Sequence, residues 1–70
     1  MSEVRSDLAA NVWKILVAPG TAVEEDETIM ILESMKMEIP VDAPESGVVT
    51  DISVSEGEAV AEGQLLAVLD

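Results

Sequence analysis

Short apolar runs separated by turn residues make up most of the chain, and none sustains the 3.6-residue stripe of an amphipathic helix. Ile15 and Val17 alternate with Lys14 and Leu16, and Ile52 and Val54 alternate with Asp51 and Ser53. Two other runs, Ile29-Met30-Ile31-Leu32 and Leu66-Ala67-Val68-Leu69, are apolar at every position. Their brevity, the β-branched residues and the flanking turns predict strands throughout.

The pattern occurs twice. Gly20 and Gly57 stand 37 positions apart, and at the same offset Val12 meets Val49, Ile15 meets Ile52 and Val17 meets Val54. Ala22 then meets Ala59, Val23 meets Val60, Glu25 meets Glu62 and Leu32 meets Leu69, without a gap. Because a core position stays apolar in both copies, Ile15/Ile52 and Val17/Val54 are predicted to point inward. Lys14/Asp51 and Leu16/Ser53 then face water. The two wholly apolar runs imply burial on both faces, or a strand crossing between sheets.

Such copies, related by an approximate twofold axis, can close their sheets over one another and leave few free edges. The predicted fold is all-β: a flattened sandwich or barrel of two quasi-twofold-related, four-stranded antiparallel halves. Residues 1–70 form one domain, since a chain this small buries only about 60% of its unfolded surface and supports a single thin core. Gly47, Gly57 and Gly63 are expected in turns with positive φ. Pro40, which cannot donate to a ladder, belongs at a strand edge or bulge.

Composition narrows the function. A net charge of −12 favours disorder, but 49% hydrophobic residues oppose it and predict a folded domain. With no cysteine and no histidine, disulfides, thiolate chemistry, the usual general base and the usual zinc ligand are all missing. An independent enzyme is the poorest reading. Fifteen acidic against three basic residues repel phosphate backbones and anionic lipid, so no nucleic acid or membrane partner is expected. The start, Met1 to Asp7, lacks the features of a secretion signal, which predicts a cytoplasmic protein.

Between the copies lies a connector, Ser34 to Ser46, preceded by Glu33. Met35-Lys36 is no turn signal in itself, because tight hairpins prefer Asn-Gly or Gly pairs. The repeat supplies the missing argument: a strand ending near Glu33 and another around Ile39 to Val41 leave Lys36 close to a hairpin tip. A charged residue forced into a tight tip marks a candidate functional site. Lys36 is one of two lysines, and its long stem carries an amine clear of the backbone. Met35 and Met37 flank it. Methionine is ordinarily core filler, but at a tip its adaptable side chain suits recognition by a docking enzyme. Glu24-Glu25-Asp26-Glu27 reads as a solvated turn and not a cation site, for want of EF-hand spacing. Trp13, the one aromatic residue, is expected to be partly buried.

Glu33-Ser34-Met35-Lys36-Met37 resembles the attachment motif of biotinyl domains, Glu-(Ala/Ser)-Met-Lys-Met. The likeness extends over nearly the whole chain through Val17-x-x-Gly20-x-x-Val23, its copy from Val54 to Gly63, and Ala43-Pro44-x-x-Gly47-x-Val49. It implies a non-catalytic, monomeric carrier of the biotin carboxyl carrier type. Lys36 would be acylated with biotin by biotin protein ligase, and Glu33, Met35 and Met37 would belong to the ligase-recognition motif. The partners implied are that ligase and the biotin carboxylase and carboxyltransferase components. Lipoate on Lys36 is the runner-up, although related lipoyl domains usually carry Asp-Lys-Ala at the tip. An unmodified interaction module with the same fold is a third reading.

No thumb-like insertion interrupts Val12 to Val17, and no Ala/Pro-rich linker stands ahead of the domain, so the likeness is to a free-standing carrier. Two departures bear on the first half. Ser6-Asp7-Leu8-Ala9-Ala10 stands where the second half has the Ala-Pro-x-x-Gly pattern, and Asp26 occupies the place of Gly63. Asp tolerates left-handed geometry, so Asp26 is still expected to make the turn.

Overall fold

The computed structural model describes all residues, 1–70, as eight strands and no helix. They are β1 (Ser2–Arg5), β2 (Ala10–Ile15), β3 (Ala22–Val23), β4 (Thr28–Ser34), β5 (Met37–Asp42), β6 (Gly47–Ile52), β7 (Ala59–Val60) and β8 (Leu65–Leu69). Two four-stranded antiparallel sheets, ordered β1-β8-β6-β3 and β5-β4-β2-β7, form an elongated body of 31 × 17 × 17 Å. The all-β fold of two four-stranded sheets is as the sequence predicts. Each sheet, however, takes two strands from each copy of the repeat, so the halves are interleaved and neither can form its sheet alone.

The wholly apolar runs have a specific cause. In the β4–β5 ladder Thr28 faces Asp42 and Met30 faces Val41, leaving Ile29 unpaired; in β1–β8, Leu66 is skipped in the same way between Leu65 and Ala67. A bulge places two successive side chains on one face. Ile29 and Met30 are accordingly both buried, as are Leu66 and Ala67. A second bulge pair falls at Trp13 in β2 and Thr50 in β6, again at matching repeat positions. Neither sheet crossing nor two-sided burial is needed.

Thirteen apolar residues make the core, including Val12, Ile29, Met30, Leu32, Val49, Leu66 and Leu69. Ile15, Val17 and Ile52 pack against it half-buried and Val54 is buried, while Lys14, Leu16, Asp51 and Ser53 are exposed, as the face assignment requires.

One sequence expectation is overturned and one boundary moves. Gly57 and Gly63 have positive φ, as does Gly20, but Gly47 does not. Gly47 is needed for close approach instead, since a Cβ there would lie 2.8 Å from the Asp70 carbonyl oxygen. The connector is not wholly outside the repeat either: its β5 is the copy of β1. Val4, Glu3 and Ser2 face Ala67, Val68 and Leu69, just as Val41, Pro40 and Ile39 face Met30, Ile31 and Leu32.

The loop shapes agree where the sequences differ. Ser6 accepts from Gly63 N–H at 2.7 Å and donates its own N–H to Gln64 O at 2.9 Å; Ala43 does the same with Asp26 and Glu27, at 2.9 and 2.8 Å. Asp26 has φ 70°, taking the left-handed role of Gly63. Pro40 lies on β5, an edge strand, where its missing N–H blunts pairing with another chain.

Candidate functional site

β4 and β5 form a hairpin in which Glu33 faces Glu38 and Ser34 faces Met37. Only Met35 and Lys36 remain to turn the chain, and both have positive φ, 52° and 66°. Positive φ at both central residues is the signature of a type I′ turn, whose twist matches that of the flanking strands. Asn and Gly normally occupy it, because a left-handed residue with a Cβ costs roughly 1–2 kcal/mol. Here the long registered ladder behind the tip imposes the geometry on Met and Lys. Strain concentrated at these two residues makes the tip the candidate site.

The Lys36 side chain is exposed and enters no salt bridge; the one ion pair in the chain joins Arg5 to Glu3 at 2.8 Å. Its amine has no competing partner. Met35 is 91% exposed and Met37 64%, so neither fills the core. Glu33 is exposed one rung below the turn, opposite Glu38. Like-charged residues directly opposite one another repel, so this rung adds no stability to the hairpin. The four residues singled out in the sequence, Glu33, Met35, Lys36 and Met37, thus come together at one end of a single hairpin.

Nothing elsewhere offers a better site. An open groove of about 380 Å³ runs between the edge strands β1 and β5, lined by Val4, Arg5, Leu32, Ile39 and Val41 among others, and Lys36 is not part of it. In the acidic run at Glu24 the Glu27 carboxylate closes the turn, its Oε1 accepting the Glu24 N–H at 3.1 Å; Gln64 Oε1 accepts the Ala61 N–H at 3.0 Å at the matching place. Trp13 is 42% exposed on its bulge, with Lys14 Nζ 5.8 Å from the ring centroid. The bulge itself was not legible in the sequence beforehand; its signal was the misfit of a single alternating pattern across Val12 to Ile15.

A family model described as biotin-requiring enzyme, covering biotin and lipoyl attachment, matches residues 1–69. The chain belongs to the biotinyl/lipoyl attachment family. It is 44% identical over 63 residues to the biotin/lipoyl attachment protein of Bacillus subtilis, covering 90% of this chain and 86% of that one. It is 40% identical over 67 residues to the biotinylated protein TB7.3 homolog of Mycobacterium leprae, with 96% and 94% covered. Among solved structures, Kluyveromyces lactis urea carboxylase superposes with a TM-score of 0.93 at 35% identity, over 99% of this chain but only 6% of that enzyme. The likeness to that multi-domain enzyme is therefore to one small part of it. The exposed lysine on the left-handed turn is the candidate attachment position of this biotinyl/lipoyl domain; of the two relatives, one is named for biotin or lipoyl attachment and the other as a biotinylated protein.

Proposed function

We propose that this biotinyl domain is a biotin carboxyl carrier whose cofactor is bound covalently to Lys36, and that it serves the carboxylase and carboxyltransferase centres of a biotin-dependent carboxylase. The observation that carries the reading is the exposed, unpaired Lys36 amine on a two-residue left-handed turn, in a chain whose relatives are biotin attachment proteins.

The residues fit the group. Lys36 Nζ would form an amide with the biotin carboxyl carbon as the bond from that carbon to its activating group breaks; an outside biotin protein ligase would provide the activated acyl group, take up the departing activating group and supply the base that accepts the amine proton. Glu33, Met35 and Met37 present a charge and two adaptable apolar side chains that such a ligase can read. When bound, biotin supplies reversible carboxyl transfer, which the domain itself does not catalyse. The contribution of this chain is position: the rigid hairpin and the lysine stem keep the attachment point outside the body. Tethering then turns two diffusional encounters into local searches. In the same proposal the carrier works in the cytoplasm as a monomer, since it must reach two separate centres. No helix is long and apolar enough to cross a membrane.

The test is modification by a biotin protein ligase, read by avidin blot, intact mass and peptide mapping, on wild type and Lys36→Arg. One biotinyl group at Lys36 on wild type and none on the variant is the expected result. Attachment at Lys14, or loading of Lys36→Arg, would overturn the assignment, and a lipoyl group on protein from its native host would favour the runner-up.

A further inference from the structure

The methionines divide sharply by exposure. Met30 is sealed in the core at 0%, whereas Met35 and Met37 stand at 91% and 64% on either side of Lys36, and Met1 is 90% exposed just ahead of β1. A solvent-exposed thioether is open to two-electron oxidants, and the sulfoxide formed is polar and chiral. Burial protects Met30 from the same chemistry. At most sites an exposed methionine is inconsequential, but these two form the apolar part of the surface around the attachment lysine.

We propose that Met35 and Met37 are an oxidation-sensitive site which controls loading of Lys36, a role that rests on the carrier reading above. The oxidant is a peroxide. Its terminal oxygen is transferred to Sδ: the S–O bond forms as the O–O bond breaks, sulfur is oxidised by two electrons, and the proton passes to the departing oxygen, which leaves as water or an alcohol. A methionine docked against a ligase leaves water, while a sulfoxide must first give up its hydration. Loading of the oxidised carrier is therefore slower, by about tenfold if one apolar contact is lost. The fold is unaffected, because neither side chain contributes to the core. Methionine sulfoxide reductases restore the thioether, so the switch is reversible.

The experiment uses the unmodified protein, so that the thioether of biotin is not itself exposed to oxidant. The chain is treated with hydrogen peroxide, the peroxide is removed, sulfoxides are mapped by peptide mass, and ligase-catalysed loading is timed. Sulfoxide is expected at Met35 and Met37 well before Met30, with loading slowed about tenfold and restored by the reductases. The double variant Met35→Leu/Met37→Leu should load at a rate that peroxide does not change, although its Met1 still oxidises. Unaltered loading of protein carrying both sulfoxides overturns the proposal, and so does oxidation of Met30 as fast as Met35. If untreated protein is never loaded, the carrier reading fails as well, an outcome distinct from the other two.

Discussion

Ser34 faces Met37 across the β4–β5 ladder, so that Met35 and Lys36 alone close the hairpin, both in left-handed conformation. A turn of two residues leaves no slack. The backbone of Lys36 is positioned by the register of the strands behind it, and the long side chain carries the amine outward from there.

Because that turn is imposed on residues that resist it, Met35→Asn should stabilise the domain. Asn is at ease at φ 52°, and the lost side chain made no core contact. Chemical denaturation is expected to show a gain of about 0.5–1 kcal/mol, while ligase loading slows. A loss of stability would mean that the tip is not strained.

Asp26 and Gly63 hold matching left-handed positions, at φ 70° and 83°. Asp26→Gly should therefore be neutral or stabilising by up to about 1 kcal/mol, and Gly63→Asp destabilising by a similar amount. Melting temperatures measured side by side should fall for Gly63→Asp and stay level or rise for Asp26→Gly.

Gly47→Ala tests packing of a different kind. The added Cβ would meet the Asp70 carbonyl oxygen at 2.8 Å, and Val48 N–H bonds that same oxygen at 2.9 Å, so neither backbone can withdraw freely. A loss of about 1–3 kcal/mol is expected, together with faster hydrogen exchange at Val48. Unchanged exchange and stability would show that the C-terminal strand end can move aside.

Ile29 and Leu66 are the buried pair of bulge residues, both at 0% exposure. Ile29→Ala or Leu66→Ala should cost about 2–5 kcal/mol, a large part of the roughly 5 kcal/mol available to so small a domain. Chemical denaturation at 25 °C is expected to show either variant unfolding at a much lower denaturant concentration than wild type. A mild effect from both would mean that the core closes over the gap.

The chain's own alternation and its repeat were enough to indicate strands, an all-β pair of four-stranded units, the inward set at Ile15, Val17, Ile52 and Val54, and a lysine near a hairpin tip. These are local or pairwise properties, recoverable because each copy checks the other. The turn at Asp26 was legible for the same reason, since its counterpart is Gly63.

Three features became visible only in the folded molecule. The interleaving of the halves depends on which edges meet, and a strand such as β1, with the sequence Ser-Glu-Val-Arg, shows no strong pattern until Val4 packs beside Ala67. The role of Gly47 depends on the approach of Asp70, distant in sequence. The left-handed turn at Met35-Lys36 contradicts local preference outright, and it exists because the ladders behind it fix both ends of the hairpin. Sequence determined which residues want to be inside and where the chain must reverse, since alternation and turn chemistry act over a few residues. Tertiary structure decided which edges pair and which residues bear the strain, because those depend on contacts between segments that only close packing brings together.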